Sequence, residues 1–171
     1  MSPDTNDMEP GSECYRGIRI ILVHGSVTPE LREELIAFWL NSGALGSRQQ
    51  AEKRVREAVH VVLNEQGRIV GVNTVFPGKL VDGVEQIYWF YRTFIHPEYR
   101  FPGLSSRVFR STVWHLAGLP RASGMPTGLA LVAENPKLYS PAGRRKLQRL
   151  GLRPRGKDRG GREVWSLEFE D

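Results

Sequence analysis

One stretch decides the fold of this chain: residues 94–106, with the sequence FIHPEYRFPGLSS. An aromatic run over 84–95 leads into it, and its alternating side chains predict a long central β-strand. Beyond it, apolar residues recur at helical spacing, which predicts a helix over 103–117. The turn between strand and helix contains Gly103. The N–H groups that open such a helix favour an anion in the turn, and Arg100 adds a full positive charge.

The patterns on either side predict an α/β order. Six further β-branched or alternating runs predict strands: 18–23, 59–63, 68–76, 129–133, 152–155 and 163–169. Three further stretches predict helices: 28–41, 47–58 and 144–150. We therefore expect the order βααβββαβαββ, with a mixed, mostly antiparallel central sheet flanked by helices. Residues 15–171 are expected to form one domain, since 171 residues leave little room for a second.

The composition excludes several classes of protein. A single cysteine, Cys14, permits neither an internal disulfide nor a Cys-based zinc site, and the four histidines lack metal-ligand spacing, so no metal is expected. The chain shows no apolar run long enough for a membrane span and no signal-peptide pattern. We therefore expect a cytoplasmic protein without a membrane partner.

The charge is unevenly distributed. The net charge is +5, yet residues 137–162 contain ten basic residues and only one acid, Asp158. An anionic partner should therefore meet this basic segment first. Residues 1–14 contain four acids, no base and two prolines, and are expected to form a disordered acidic tail.

The element order and the turn resemble the GNAT superfamily of acyl-CoA-dependent N-acyltransferases. Residues 95–100, IHPEYR, match the family's V/I-x-P-x-Y-R pattern, and Arg100, Gly103 and Ser105 match its R/Q-x-x-G-x-G/A pattern. The resemblance implies that acetyl-CoA, or another acyl-CoA, binds with its pyrophosphate at the turn and its pantetheine along the end of the central strand. The cofactor-binding residues that we expect are Phe94, Ile95, Arg100, Phe101, Gly103, Leu104, Ser105, Ser106 and Asn135.

The chain departs from the family pattern at three positions. Ser105 replaces the usual Gly or Ala, and Pro102 removes one amide from the phosphate turn. Leu147 stands where the family has the tyrosine that protonates the departing thiolate. Tyr139, which follows the fifth predicted strand, is therefore our candidate general acid.

The other candidates follow from the chemistry of acyl transfer. An alkylamine is mostly protonated at neutral pH, so a group must accept its proton. Glu85 at the start of the central strand and His96 at its end are candidates, although each could be a solvated surface residue. Arg92, Tyr88 and Trp39 are the candidate substrate-binding residues; for Arg92 a structural ion pair, and for the other two core packing, are the alternatives.

Three functions are compatible with the sequence. The first is a GNAT-type enzyme that transfers an acyl group, most simply acetyl, to a primary amine of a small molecule or peptide in a ternary complex. In the second, an enzyme of this fold modifies tRNA or DNA, which it binds through residues 137–162. In the third, a GNAT-like domain has lost catalysis and acts as a binding module. Each is compatible with a monomer or a homodimer.

Overall fold

The computed structural model of the chain describes residues 12–80 and 85–170. The strands are β1 (Ser12–Tyr15), β2 (Ile18–Leu22), β3 (Ala58–Leu63), β4 (Ile69–Lys79), β5 (Ile87–Ile95), β6 (Gly128–Val132), β7 (Arg153–Lys157) and β8 (Glu163–Glu168). The helices are α1 (Pro29–Asn41), α2 (Arg48–Val55), α3 (Leu104–Ala117) and α4 (Pro141–Arg149). Two short 3-10 turns cover Pro97–Tyr99 and Pro136–Tyr139.

The strands form a sheet in the order β1-β2-β3-β4-β5-β6-β8-β7. Strands β5 and β6 are parallel, whereas the pairs β1–β2, β2–β3, β3–β4, β6–β8 and β7–β8 are antiparallel. This confirms the predicted α/β fold with a mixed, mostly antiparallel sheet. Contacts divide the chain into two compact units: the first runs to Thr74 and includes Thr93–Leu104, and the second contains Val75–Arg92 and the residues from Ser105 onward.

The first unit begins with a hairpin that the sequence did not reveal. β1 pairs with β2 through a two-residue turn in which Arg16 has φ of 50° and Gly17 of 75°. Two left-handed residues match the twist of the strands, but arginine rarely adopts this conformation, so the turn was not recognised. Ser12 and Cys14 therefore belong to a strand rather than to the expected tail, whose residues 1–11 lie outside the described part of the chain.

The core of the first unit lies under α1 and α2. Thr28 caps α1 by accepting a hydrogen bond from the N–H of Leu31, and Ser47 caps α2 in the same way. The buried residues that form the core cluster are Val23, Leu35, Ile36, Trp39, Ala51, Val55, Ala58, Val61 and Val72. The predicted helix over 47–58 ends earlier, because Ala58 already belongs to β3.

In the second unit, α3 connects the parallel strands β5 and β6, as a crossover helix must. α3 buries Val108, Phe109 and Leu116, and the ring of Phe109 meets that of Tyr91 edge-on at 5.2 Å. α4 connects β6 to β7, which pairs with β8 across an irregularity between Pro154 and Gly156. No helix in the described part of the chain has the length and apolar character to cross a bilayer.

Ends of α4, β4 and β5 also differ from the prediction. α4 begins at Pro141 rather than at Arg144. Pro77 and Gly78 were expected to close a strand, but β4 continues through them to Lys79. At β5 the predicted start, Val84, lies outside the described residues, and Glu85 is exposed and precedes the first residue of the strand, Ile87. The prediction that Glu85 begins the strand was therefore wrong.

Candidate active site

The turn between β5 and α3 presents several backbone donors. Gly103 has φ of +86°, a conformation that side chains disfavour. Tyr15 donates a hydrogen bond to the carbonyl of Pro102 at 2.9 Å, which ties the turn to β1. The N–H groups of Gly103, Ser105 and Ser106 donate to no acceptor within residues 12–80 and 85–170. Free amides at the start of a helix stabilise an anion placed in the turn.

Arg100 lies over the end of β5. Its Nε donates to the carbonyl of Ile95 at 2.8 Å, and its guanidinium carbon is 5.8 Å from the centre of the Phe94 ring. The side chain is exposed, so the remaining N–H donors of the guanidinium face solvent. Arg100 can therefore contribute a positive charge at the turn while it caps the strand end.

The apolar residues near the turn differ in accessibility. Phe94 is half-buried, with its ring 5.8 Å from that of Phe38, and Phe101 is also half-buried. Ile95 is buried, and Leu104 is completely inaccessible. Any contact of Leu104 with a cofactor would therefore use its backbone.

His96 follows the end of β5, and its ring accepts a hydrogen bond there. Its Nδ1 accepts a long bond, 3.4 Å, from the N–H of Glu98, so the neutral ring carries its proton on Nε2. A general base needs a free lone pair on the nitrogen that faces the substrate. In this arrangement His96 would have to change tautomer or hydrogen-bond partner before it could act as a base.

A groove of about 650 Å³ with polar and apolar lining adjoins His96 within the first unit. Its lining comes from α1, from the turn between β3 and β4, and from the segment that follows β5. It contains the carboxylates of Glu34 and Glu98 beside the apolar side chains of Phe38 and Ile69. Arg68 also lines the groove, which thus combines charges of both signs with an apolar wall.

In the second unit, the ladder between β5 and β6 is short. Its paired residues are Trp89 with Leu129 and Phe90 with Ala130. β5 continues to Ile95 and β6 to Val132, which pairs with β8 rather than β5. Within the described part of the chain the two strands therefore part after Phe90. Polar backbone groups of separated strands can hydrogen-bond a ligand between them.

Tyr139 lies close to the end of β6. It is half-buried, and its hydroxyl donates to the carbonyl of Ala133 at 2.5 Å. The side chain of Asn135 accepts a hydrogen bond from the N–H of Lys137 and is exposed. Asn135 thus caps the 3-10 turn that carries Tyr139. Leu147, at the position of the family tyrosine, is buried on the inner face of α4.

Lys146 is a site residue that the sequence did not identify. Its ammonium donates to the Oγ of Ser105 at 2.9 Å, so a charge of α4 stands at the first turn of α3. It belongs to the basic segment 137–162, but no pattern in the sequence distinguishes it from the other nine cations there. Only the packing of α4 against α3 distinguishes Lys146 from these cations.

The candidate substrate residues lie in apolar or paired surroundings. Trp39 is buried in the core cluster under α1. The guanidinium of Arg92 stacks on the ring of Phe76 at 4.2 Å, a cation–π contact. Tyr88 is 2% exposed, and its hydroxyl donates to Glu168, which Arg155 also binds. Burial and the hydrogen bond to Glu168 raise the pKa of Tyr88 to about 12.

Comparison with solved structures identifies the architecture. The ribosomal-protein-S5-alanine acetyltransferase from Vibrio fischeri superposes with a TM-score of 0.62 at 12% identity, covering 94% of this chain and 97% of that one. This chain has the GNAT acetyltransferase fold. No family model matches it, and no curated protein matches it in sequence.

Two other GNAT-fold structures support the assignment. The GNAT-family acetyltransferase from Streptococcus pneumoniae has a TM-score of 0.57 at 15% identity, with 88% of this chain and 99% of that one covered. The ribosomal L7/L12 alpha-N-protein acetyltransferase, in complex with coenzyme A, has a TM-score of 0.53 at 11% identity, with 91% and 96% covered. The GNAT resemblance drawn from residues 95–105 is thereby confirmed at the level of the fold. At these identities the likeness concerns the fold alone.

Proposed function

We propose that this chain is an acyl-CoA-dependent N-acyltransferase that transfers acetyl from acetyl-CoA to a primary amine by direct attack in a ternary complex. The observation that carries the proposal is the turn after β5, where the N–H groups of Gly103, Ser105 and Ser106 are free at the start of α3 in a GNAT fold. Free amides beside a cationic side chain suit a pyrophosphate.

The residues present fit the cofactor despite Pro102. Proline lacks an N–H, but the three free amides beyond it remain, and Lys146 adds an ammonium at Ser105. Arg100 supplies a second cation. These groups would hold the phosphates, and the separated part of β5 would receive the pantetheine. When bound, acetyl-CoA supplies the activated acyl group.

We propose a peptide or protein amine as the acceptor. Two structural neighbours are named for acetylation of ribosomal proteins and another for N-acetylation of phosphinothricin, so the choice between these classes rests on the groove of this chain. The groove beside His96 suits such an acceptor, because the carboxylates of Glu34 and Glu98 outnumber its one arginine, Arg68, and can attract an ammonium. Its apolar wall would accept neighbouring side chains.

Side chains of this chain would then accept and donate the protons that the reaction moves. The amine must lose a proton before it attacks the acyl carbon, and His96 is the candidate acceptor after release of the Glu98 N–H. Glu85 was the other candidate, but it precedes Ile87 at the opposite end of β5 from the groove beside His96, so it is too distant to accept this proton. Tyr139 would give its hydroxyl proton to the departing sulfur, which requires that it leave the carbonyl of Ala133. Backbone N–H groups near the end of β5 would stabilise the oxyanion that forms during attack.

Isothermal titration with acetyl-CoA tests the cofactor assignment. Gly103→Glu should weaken acetyl-CoA binding by at least about tenfold, because its carboxylate would lie among the N–H groups proposed to bind the phosphates. Gly25→Glu is the matched control: Gly25 also has a positive φ, 74°, in an open turn, and its substitution should leave binding unchanged. Equal binding by wild type and Gly103→Glu would contradict the proposal.

Thiol release with a panel of peptides and amines tests the reaction. The assay needs a Cys14→Ala background, since the exposed thiol of Cys14 would react with the reporter. Tyr139→Phe should lower kcat by about 10²-fold without weakening acetyl-CoA binding. Thr112→Val, which also removes a hydroxyl that donates to a backbone carbonyl but lies outside the proposed site, is the control. Acetyl-CoA binding without turnover of any acceptor would support the inactive binding module instead.

A further inference from the structure

The acyltransferase proposal leaves one large exposed aromatic unexplained. Trp114 on α3 is 80% exposed, whereas Trp39 and Trp165 are each 2% exposed. A tryptophan ring in solvent has no role in folding, and such rings are enriched where proteins bind partners. Trp114 lies ten residues beyond the first residue of α3, well past the amides proposed to hold the cofactor phosphates.

The surroundings of Trp114 are basic. Arg110 precedes it by one helical turn, so their Cβ atoms lie about 6 Å apart on the same exposed face of α3. Within the described residues, Arg110 forms no ion pair with a carboxylate. The pair therefore offers an open aromatic face next to a free guanidinium.

A second set of free cations belongs to the same unit. In the basic segment, Arg144, Arg155 and Arg162 are bound to glutamate or aspartate side chains. Five other cations of this segment form no ion pair with any carboxylate of residues 12–80 and 85–170. They are Lys137, Arg145, Arg149, Arg153 and Lys157. All five are exposed, so this charge is directed outward.

Topology places α3 and α4 on one face of the sheet. Strands β5, β6 and β7 run in the same direction, because β6 and β7 are both antiparallel to β8. Right-handed crossovers then put the two connecting helices on the same side. The hydrogen bond between Lys146 and Ser105 shows that α4 lies beside the first turn of α3.

We infer that this face of the second unit, defined by Arg110 and Trp114 of α3 with Arg145 and Arg149 of α4, binds single-stranded RNA. An unpaired base would stack on the indole of Trp114 while Arg110 contacts the adjacent phosphate. Arg145 and Arg149 of α4 would contact phosphates further along the RNA strand. Stacking and free cations together are what non-specific single-strand binding requires.

The same observations disfavour other partners. A duplex has no exposed base faces at its sides, so it would leave Trp114 without a stacking partner. An acidic protein would be drawn by the charge but would need an apolar pocket for the indole. RNA is favoured over DNA because unpaired, splayed bases are ordinary in RNA loops and ends.

Fluorescence anisotropy with a labelled single-stranded RNA of about 12 nucleotides tests the inference, at about 50 mM salt and again at higher salt. Trp114→Ala should weaken binding by about tenfold, and Trp114→Phe should restore most of it. Arg110→Ala should weaken binding severalfold. It should also reduce the slope of the logarithm of the binding constant against the logarithm of salt concentration by about one. Arg56→Ala, which removes an exposed cation of the first unit, should change nothing.

Four results would overturn the inference. They are no binding of the single strand at low salt, equal binding by wild type and Trp114→Ala, tighter binding of duplex RNA or single-stranded DNA, and tighter binding of an acidic peptide of equal charge. Because Trp114 and Arg110 are exposed, circular dichroism should show that both variants fold. Acetyl-CoA titration of the same variants is expected to be unchanged, which separates this surface from the acyltransferase proposal.

Discussion

Trp39 in the first unit and Trp114 in the second show how differently the two regions use the same residue. Trp39 lies in the core cluster formed by α1, α2 and the strands beneath them, whereas Trp114 stands in solvent. Both units contain paired cations, but the balance differs. Arg32 and Arg48 bind Glu33 and Glu52 between α1 and α2, whereas Arg145, Arg149 and Arg153 on α4 and β7 have no acidic partner among the described residues.

The difference separates residues that stabilise the fold from residues available for binding. Exposed large aromatics and unpaired cations add little to the free energy of folding, so their presence in the second unit needs a different explanation. Four measurements would sharpen or break this contrast.

The largest effect is expected at Trp39. Trp39→Ala should lower the free energy of unfolding by about 3–5 kcal/mol, because it leaves a large cavity in the core. Urea unfolding followed by circular dichroism measures this loss. Trp114→Ala, examined in parallel, should fall within about 0.5 kcal/mol of wild type. Similar losses in the two variants would break the contrast.

The cap of α4 should come next. Ser140 accepts a hydrogen bond from the N–H of Gly143 at 3.1 Å, and Ser140→Ala should cost about 1 kcal/mol of stability. Ser140→Asp, which keeps an acceptor, should restore it. If alanine and aspartate behave alike in urea unfolding, the cap is not what holds the basic helix in place.

A smaller effect, dependent on pH, is expected at Tyr88. Native Tyr88 has a pKa of about 12, above the ordinary 10.0, so between these values the folded chain holds a proton that the unfolded chain has lost. Stability should therefore be fully present below pH 10 and should fall as the pH rises toward 12. Tyr88→Phe should lose about 1 kcal/mol at neutral pH and lack this alkaline decline. A parallel decline in both proteins would contradict the assignment.

The smallest effect is expected in the ion-pair network of the first unit. The hydrogen bond from Arg48 lowers the pKa of Glu33, but both side chains are more than half exposed. Glu33→Gln should shift the urea midpoint only slightly at low salt and not at all at high salt, since exposed pairs are screened. A large, salt-independent shift would show that these charges contribute more to folding than the exposed geometry implies.

Local sequence patterns predicted most of the fold. The aromatic alternation before His96, the helical spacing after Gly103 and the β-branched runs on either side all correspond to observed elements. The β1–β2 hairpin was missed because its turn begins with Arg16 in a conformation that arginine seldom adopts. The predicted end of β4 at Pro77 was wrong because proline is tolerated in a strand wherever no N–H is required.

The candidate site was less accessible to sequence reasoning, because its geometry depends on residues distant in the chain. The turn itself was evident from Gly103 and Arg100, whereas the contribution of Lys146 depends on how α4 packs. The environment of Tyr88 likewise depends on Glu168, eighty residues away, which no local pattern connects to it. Contacts of this kind require the tertiary structure.

The irregularity in β7 has a consequence for how copies of this protein meet one another. An edge strand presents unpaired backbone groups that can recruit a strand from another molecule. β7 lies at the end of the sheet, and its interruption between Pro154 and Gly156 breaks the regular row of hydrogen-bonding groups. Pro154 offers no donor, and Arg153 and Lys157 repel the same edge of a second molecule. The cations of this strand thus also disfavour edge-to-edge pairing of sheets, and hence aggregation, at high protein concentration.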